Sequence, residues 1–295
     1  MPVLHLQGTT CRRIGDGLGW SRHVATDKAH FTAAAGQSRA GSITDKCQLS
    51  PYARLMDQLC SDERLAQERA AGTRVGLYRL YGDLGTGNFS RVKLAVHQLT
   101  ADRVAVKIVD KAKLDYRTHA MLAEEIENME RLHHPHIVRL YEVLETPQRY
   151  HLVLEYAAGG NLHQLITAEG RLGDRRARAL AVQLVSALQH MHDQNLVHRD
   201  VKADNVFLTR RGRAKLGDLG FSTRVTSATQ QLTSFCGSPP YAAPELLEAA
   251  SYTGPAVDMW ALGVLLFFAG EESDADSPAA HLKTLPGRVK GCVIA

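Results

Sequence analysis

Three observations on the sequence predict an α+β fold. Five runs, residues 75–81, 91–96, 103–109, 137–144 and 150–156, carry the alternation of strands. One segment of helical period, 118–132, stands between the third and fourth runs, and a second, 176–192, follows the fifth. The expected architecture is an antiparallel five-stranded sheet with one helix, followed by a mainly helical region.

Composition narrows the class. With 295 residues, 44% of them hydrophobic, the chain has enough apolar material to bury a real core. The formal charge of +4 is spread among acids rather than gathered in a basic block, which argues against nucleic acid as a partner. Cys11, Cys47, Cys60, Cys236 and Cys292 are irregularly spaced and form no CxxC pair, so a reducing, cytoplasmic setting suits them. The most apolar stretch, 259–269, is too short for the roughly 20 residues of a membrane span.

Taken in order, residues 1–49 keep no helical or strand period and are expected to be disordered. Residues 50–74 form a helix and linker: Tyr52, Leu55, Met56 and Leu59 lie at helical spacing behind Ser50-Pro51, and the helix should end near Gly72. Between the first two strands lies a glycine-rich connection, in which Gly85 and Gly87 let backbone N–H groups approach phosphate oxygens. In the third strand Lys107 stands among small and β-branched residues. A buried ammonium requires an anionic partner, and Glu125, beside the apolar Leu122, Ile126 and Met129 on the next helix, is the natural one. The histidines at 133, 134 and 136 read as a connecting loop around Pro135 rather than a metal site. The helix over 176–192 takes its period from Leu180, Val182, Leu184, Val185 and Leu188. It leads to His198-Arg199-Asp200-Val201-Lys202-Ala203-Asp204-Asn205, a polar run between two apolar ones. Such a run is a loop between buried strands.

That octet resembles the catalytic loop of protein kinases, and four further segments stand in the order that family requires: Gly85-Thr86-Gly87, Lys107, Glu125, and Asp218-Leu219-Gly220 followed by Ala243-Pro244-Glu245. The similarity covers about 52–270. Lys202, two residues after Asp200, marks Ser/Thr specificity, and the text from Leu232 to Glu245 resembles relatives of the AMP-activated kinase. With Gly87-Asn88-Phe89-Ser90 and Thr223 it is most similar to the Nim-type branch.

The resemblance implies a bilobal fold over 75–270, with a small lobe over 75–156 and a large lobe over 157–270, and a divergent tail at 271–295. It implies Mg·ATP as cofactor, a protein Ser or Thr hydroxyl as acceptor, and an upstream activating kinase as partner. Asp200 would take the hydroxyl proton, Lys202 would neutralise charge on the γ-phosphate, and Ser238 would contact both. Lys107, oriented by Glu125, would hold the α- and β-phosphates. Asn205 and Asp218 would ligate Mg²⁺. The nucleotide would lie among Leu84, Gly85, Gly87, Val92, Ala105, Lys107, Leu154, Glu155, Ala157, Phe207 and Asp218. Ser90 stands where the family has a third glycine, and Leu219, in place of Phe, would pack with His198, Met129 and Leu140. Arg199 implies control through phosphorylation of Ser234, with Thr233 as the competing site. Asn161 replaces a glutamate of relatives that prefer basic substrates, which weakens that preference, while Asp204 keeps one acidic position.

After Gly270 the resemblance stops, and the Arg that pairs with Glu245 in the family is absent. A poorly stable and inactive product of truncation or splicing is therefore expected as the alternative, a nucleotide-binding or interaction protein without turnover. The last four residues, beginning at Cys292, have the form of a prenylation signal. An accidental match is favoured there, and membrane contact is expected only if Cys292 is prenylated.

Overall fold

The computed structural model describes residues 5–6, 9–13, 54, 61–87 and 90–270. They fall into two compact units, one within 1–109 and 141–153 and the other within 110–140 and 154–295. The first part of the expected helix, 51–53 and 55–60, and the whole tail with Cys292 lie outside the described residues, as does most of 1–49.

The first unit is an antiparallel sheet. Its strands are β1 (His5–Leu6), β2 (Thr9–Arg13), β3 (Arg74–Val75), β4 (Tyr78–Thr86), β5 (Ser90–His97), β6 (Arg103–Asp110), β7 (Leu140–Glu145) and β8 (Arg149–Glu155), in the order β1-β2-β7-β8-β6-β5-β4-β3. The five expected strands form its middle, and three short ones extend both edges. The disorder expected for 1–49 does not hold at Thr9–Arg13, of which Thr10–Arg13 pair with Glu142–Glu145 of β7. An open edge recruits any extended backbone through main-chain hydrogen bonds, so no side-chain pattern announces it. Residue 137, expected to open the fourth strand, contributes only an isolated bridge to Leu216.

One face of this sheet is the core. Val75, Tyr78, Leu80, Ala95, Val104, Val106, Leu144 and Val153 pack together there, with Ile108 against them. The ends are fastened by polar groups. Buried Arg74 donates to Glu68 at 2.8 Å and to Gln98 at 2.7 Å, and the Tyr78 hydroxyl donates to Glu142. Glu68 belongs to α1 (Glu63–Ala70), whose Asp62 cap accepts from the N–H groups of Arg64 and Leu65. The Arg74 hydrogen bond holds the Glu68 carboxyl below its ordinary range, burial opposing. The helix ends by Gly72 as expected, but its described residues bury no side chain.

His151 on β8 is buried, and its Nδ1 has no hydrogen-bond partner among the described residues. Burial pushes its pKa from 6.5 down to about 4. Between those values the unfolded chain takes up a proton that the folded chain refuses, so stability is full above pH 6.5 and falls as the pH drops toward 4. The loss from this group amounts to about 3 kcal/mol. Urea unfolding of His151→Leu against the natural chain at pH 7.5 and 4.5 should show a smaller acid loss in the variant; equal losses would remove His151 as the cause.

The second unit is mostly helical. It comprises α2 (Tyr116–Arg131), α3 (Leu162–Glu169), α4 (Asp174–Asp193), α5 (Pro244–Glu248) and α6 (Gly254–Gly270). Short antiparallel pairs join β9 (Leu196–Val197) with β12 (Thr223–Arg224), β10 (Val206–Leu208) with β11 (Ala214–Leu216), and β13 (Gln231–Leu232) with β14 (Tyr252–Thr253). Helix α2 begins before the expected Thr118, because Asp115 and Thr118 form a reciprocal capping box. On α4 the buried face is Leu180, Leu184, Ala187, Leu188 and Met191. Val182, expected on that face, is 71% exposed, and Val185 is exposed as well. Helix α6 buries Val257, Asp258, Ala261, Leu262 and Leu265, and leaves Trp260 and Phe267 47% and 58% exposed. Among the described residues no helix is long and apolar enough to cross a membrane.

Candidate active site

The residues 198–205 connect β9 to β10, as their polar run between apolar ones requires. What shapes the loop is Asp258, the one charged residue of the apolar helix α6. It is 1% exposed. Its Oδ2 accepts from the His198 N–H at 2.9 Å and from His192 Nε2 at 2.8 Å, and its Oδ1 accepts from the Arg199 N–H at 2.8 Å. A buried carboxylate is tolerable because each oxygen is hydrogen-bonded. Held this way, Arg199 takes the left-handed conformation at φ 65°. The first residue of α6 fits as closely: a Cβ on Gly254 would lie 2.5 Å from Val197 Cγ2.

Asp200 is buried at the centre of the loop. Its Oδ1 accepts from the Ser238 hydroxyl at 2.8 Å, and its Oδ2 accepts from Asn205 Nδ2 at 2.9 Å and pairs with Lys202 Nζ at 2.8 Å. Lys202 also donates to Ser238 Oγ at 2.8 Å, so the hydroxyl, the ammonium and the carboxylate form a closed triangle. Asn205 gives its Nδ2 to the Asp200 carbonyl as well, at 2.9 Å. With its nitrogen engaged twice, Oδ1 is the atom left to a hard cation. Gly237 brings Ser238 here: at φ 100° it lies so close to the loop that a Cβ would stand 2.4 Å from the Arg199 carbonyl oxygen.

Asp218 is exposed and left-handed, at φ 59°, and Leu219 after it is buried, as are His198, Met129 and Leu140. Glu125 is buried on α2 while the neighbouring Glu124 is exposed. Both carboxylates border Gly220: a Cβ there would be 3.5 Å from Asp218 Oδ1 and 3.9 Å from Glu125 Oε2. Leu154, Glu155, Ala157 and Phe207 are half-buried. The Glu155 N–H is taken by the Arg139 carbonyl at 2.8 Å and its carboxylate pairs with Lys215 at 2.6 Å.

In the first unit, Gly85 pairs with Val92, Val92 with Lys107, and Leu94 with Ala105. These positions share the face opposite Val104 and Val106, because side chains alternate along a strand. Lys107, Val92 and Ala105 are half-buried there, and Leu84 is exposed. Among the described residues nothing lies within 4 Å of a Cβ built on Gly85. On Gly87 a Cβ would stand 3.2 Å from Ser90 Oγ, and its N–H donates to the Ser90 carbonyl at 2.8 Å.

Other predicted positions find partners of their own. Arg199 donates through Nη1 to exposed Ser234 Oγ at 2.7 Å and through Nε to the Phe221 carbonyl at 2.8 Å. The Tyr252 hydroxyl donates to the Ser234 carbonyl at 2.7 Å. Thr233 is exposed. Asn161 caps α3, accepting from the Gln164 N–H at 2.8 Å, a role its Asn-x-x-Gln spacing signals. Asp204 lies 3.8 Å from His163. His134 stacks on His190 at 5.0 Å and meets Ser186 at 3.1 Å, and no metal-holding group of three is present among the described residues. Burial holds His134 below its ordinary pKa, with His190, His136 and Lys215 adding to it. Glu245 is half-buried with no salt bridge among the described residues. Residues that the motif reading leaves without a role are His192, Asn128 and Ser222.

The chain belongs to the protein kinase domain family, whose pattern matches residues 78–273. The α+β architecture, an antiparallel sheet followed by a mainly helical unit, agrees with that membership. Among curated proteins it is similar to the Serine/threonine-protein kinase SIK3 homolog of Danio rerio, 46% identical over 194 residues. That stretch covers 66% of this chain and 16% of the relative, so the chain spans a small part of the relative's length.

Proposed function

We propose that this chain is a Ser/Thr protein kinase related to the AMP-activated kinase, transferring the γ-phosphoryl group of Mg·ATP to a protein hydroxyl. The observation that carries the proposal is the triangle of Asp200, Lys202 and Ser238. Asp200 Oδ1 already accepts an O–H hydrogen bond, which is the contact a substrate hydroxyl needs before it attacks. In the reaction the acceptor oxygen forms a bond to the γ-phosphorus, the bond to the β–γ bridging oxygen breaks, ADP leaves, and the hydroxyl proton passes to Asp200. Lys202 places its ammonium beside the transferring group. Mg²⁺, when bound, neutralises charge on the phosphate oxygens, and Asn205 and Asp218 supply the oxygen donors it prefers. Within the first unit, Lys107, Val92 and Ala105 share the sheet face that would serve nucleotide binding.

Transfer of phosphate from labelled ATP to a generic peptide, with Asp200→Asn as control, tests this. A chain that binds Mg·ATP without turnover would instead be a nucleotide-binding protein.

Control through Ser234 belongs to the same proposal. A phosphate there would meet Arg199, whose guanidinium already reaches the hydroxyl, and would order the segment. After treatment with an upstream kinase, Ser234→Ala should be about tenfold less active than the natural chain; equal activity would exclude Ser234 and leave Thr233. The irregular cysteines support a cytoplasmic setting, with membrane contact only through a prenylated Cys292.

A further inference from the structure

Helix α2 and the segment after Asp218 are joined by buried polar groups that the proposed reaction does not itself use. Asn128 is 1% exposed and Ser222 5%. Asn128 Nδ2 donates to Ser222 Oγ at 3.1 Å, and that hydroxyl donates on to the Leu219 carbonyl at 2.7 Å. The Ser222 N–H donates to the same carbonyl at 2.9 Å. The chain of bonds thus ends on the carbonyl of Leu219, the residue after left-handed Asp218. Its other end lies one helical turn from Glu125, so the two share a face of α2. Thr223 and Arg224 extend the contact, Thr223 Oγ1 donating to Glu124 at 3.2 Å and Arg224 reaching Glu127 at 4.0 Å. Those two residues are strand β12, paired with β9 immediately before His198.

Buried amides and hydroxyls are costly to leave unpaired, and an apolar pair of similar shape would fill the same space. A directional pair fixes orientation, which an apolar contact does not. We infer that Asn128 and Ser222 are positioning residues: their hydrogen-bond chain locks helix α2 to the Asp218–Gly220 turn, so that Glu125 and Asp218 are set as one unit. The inference rests on the proposed kinase function for its catalytic consequence, but not for the lock itself.

Hydrogen exchange of the full chain reads the lock without turnover. Ser222→Ala and Asn128→Ala should each speed exchange of the 219–224 amides about tenfold, and the double variant no further, because either change breaks the same chain. Peptide phosphorylation should then show kcat lowered about tenfold with the peptide KM unchanged, and Ser222→Thr, which keeps the hydroxyl, should recover most of it. Unchanged exchange in both single variants, or effects that add in the double, would overturn the lock. Faster exchange in the variants, together with a natural chain that transfers no phosphate, would keep the lock and refute the kinase reading instead. If Asn128→Ala fails to fold, Ser222→Ala and Ser222→Thr decide the matter alone.

Discussion

Asp200→Asn is expected to lower peptide phosphorylation about 10³-fold while leaving Mg·ATP binding intact. The substitution keeps the shape of the side chain, and the Ser238, Asn205 and Lys202 donors around it remain. What disappears is the basic oxygen that, in the proposed reaction, would receive the proton as the acceptor attacks. The loss should fall on kcat, with the KM for ATP within about twofold of its original value, because the carboxylate acts on the developing bond rather than on ground-state binding. Steady-state rates with labelled ATP, beside a thermal-shift titration with Mg·ATP, separate the two effects. A variant within a few-fold of the natural rate would show that Asp200 is not the base.

The second large effect is expected away from the reacting atoms. Asp258→Asn replaces two acceptor oxygens by one oxygen and one amide nitrogen. Both original oxygens face donors: the Arg199 N–H on one side, the His198 N–H and His192 Nε2 on the other. Whichever way the amide turns, its NH₂ meets a backbone N–H. Leaving buried donors opposed costs about 2–4 kcal/mol, a large share of the net stability of a domain. The urea midpoint should fall accordingly, and kcat should drop more than about tenfold, since His198 and Arg199 carry Asp200 between them and its partners. An unchanged midpoint with unchanged kcat would remove Asp258 from this role.

The loop proposed to be catalytic was legible because its chemistry is written in one stretch: six of the eight residues from His198 to Asn205 are polar, they stand between apolar runs, and the strands on either side hold the loop's ends. Glu125 stands among helix positions that must face inward, but only the Glu-Ile step of the family pattern separates it from the adjacent Glu124. The misreadings have physical causes. Val182 lies two residues from Leu180, and on a helix that spacing turns it to the opposite side however apolar it is. Residues 9–13 join the sheet through backbone atoms, which every sequence possesses. The partners of Asn128 and Asp258 lie 94 and about 60 positions away, and no local pattern reports a bond over such a distance.

The close fit of Gly254 against Val197 and the hold of Asp258 on His198 and Arg199 join segments 60 positions apart. Contacts of that range close long loops and form late. A chain emerging during synthesis therefore carries Asp200, Lys202 and Asn205 well before it can arrange them. The arrangement waits for a helix whose own side chains take no part in the proposed transfer.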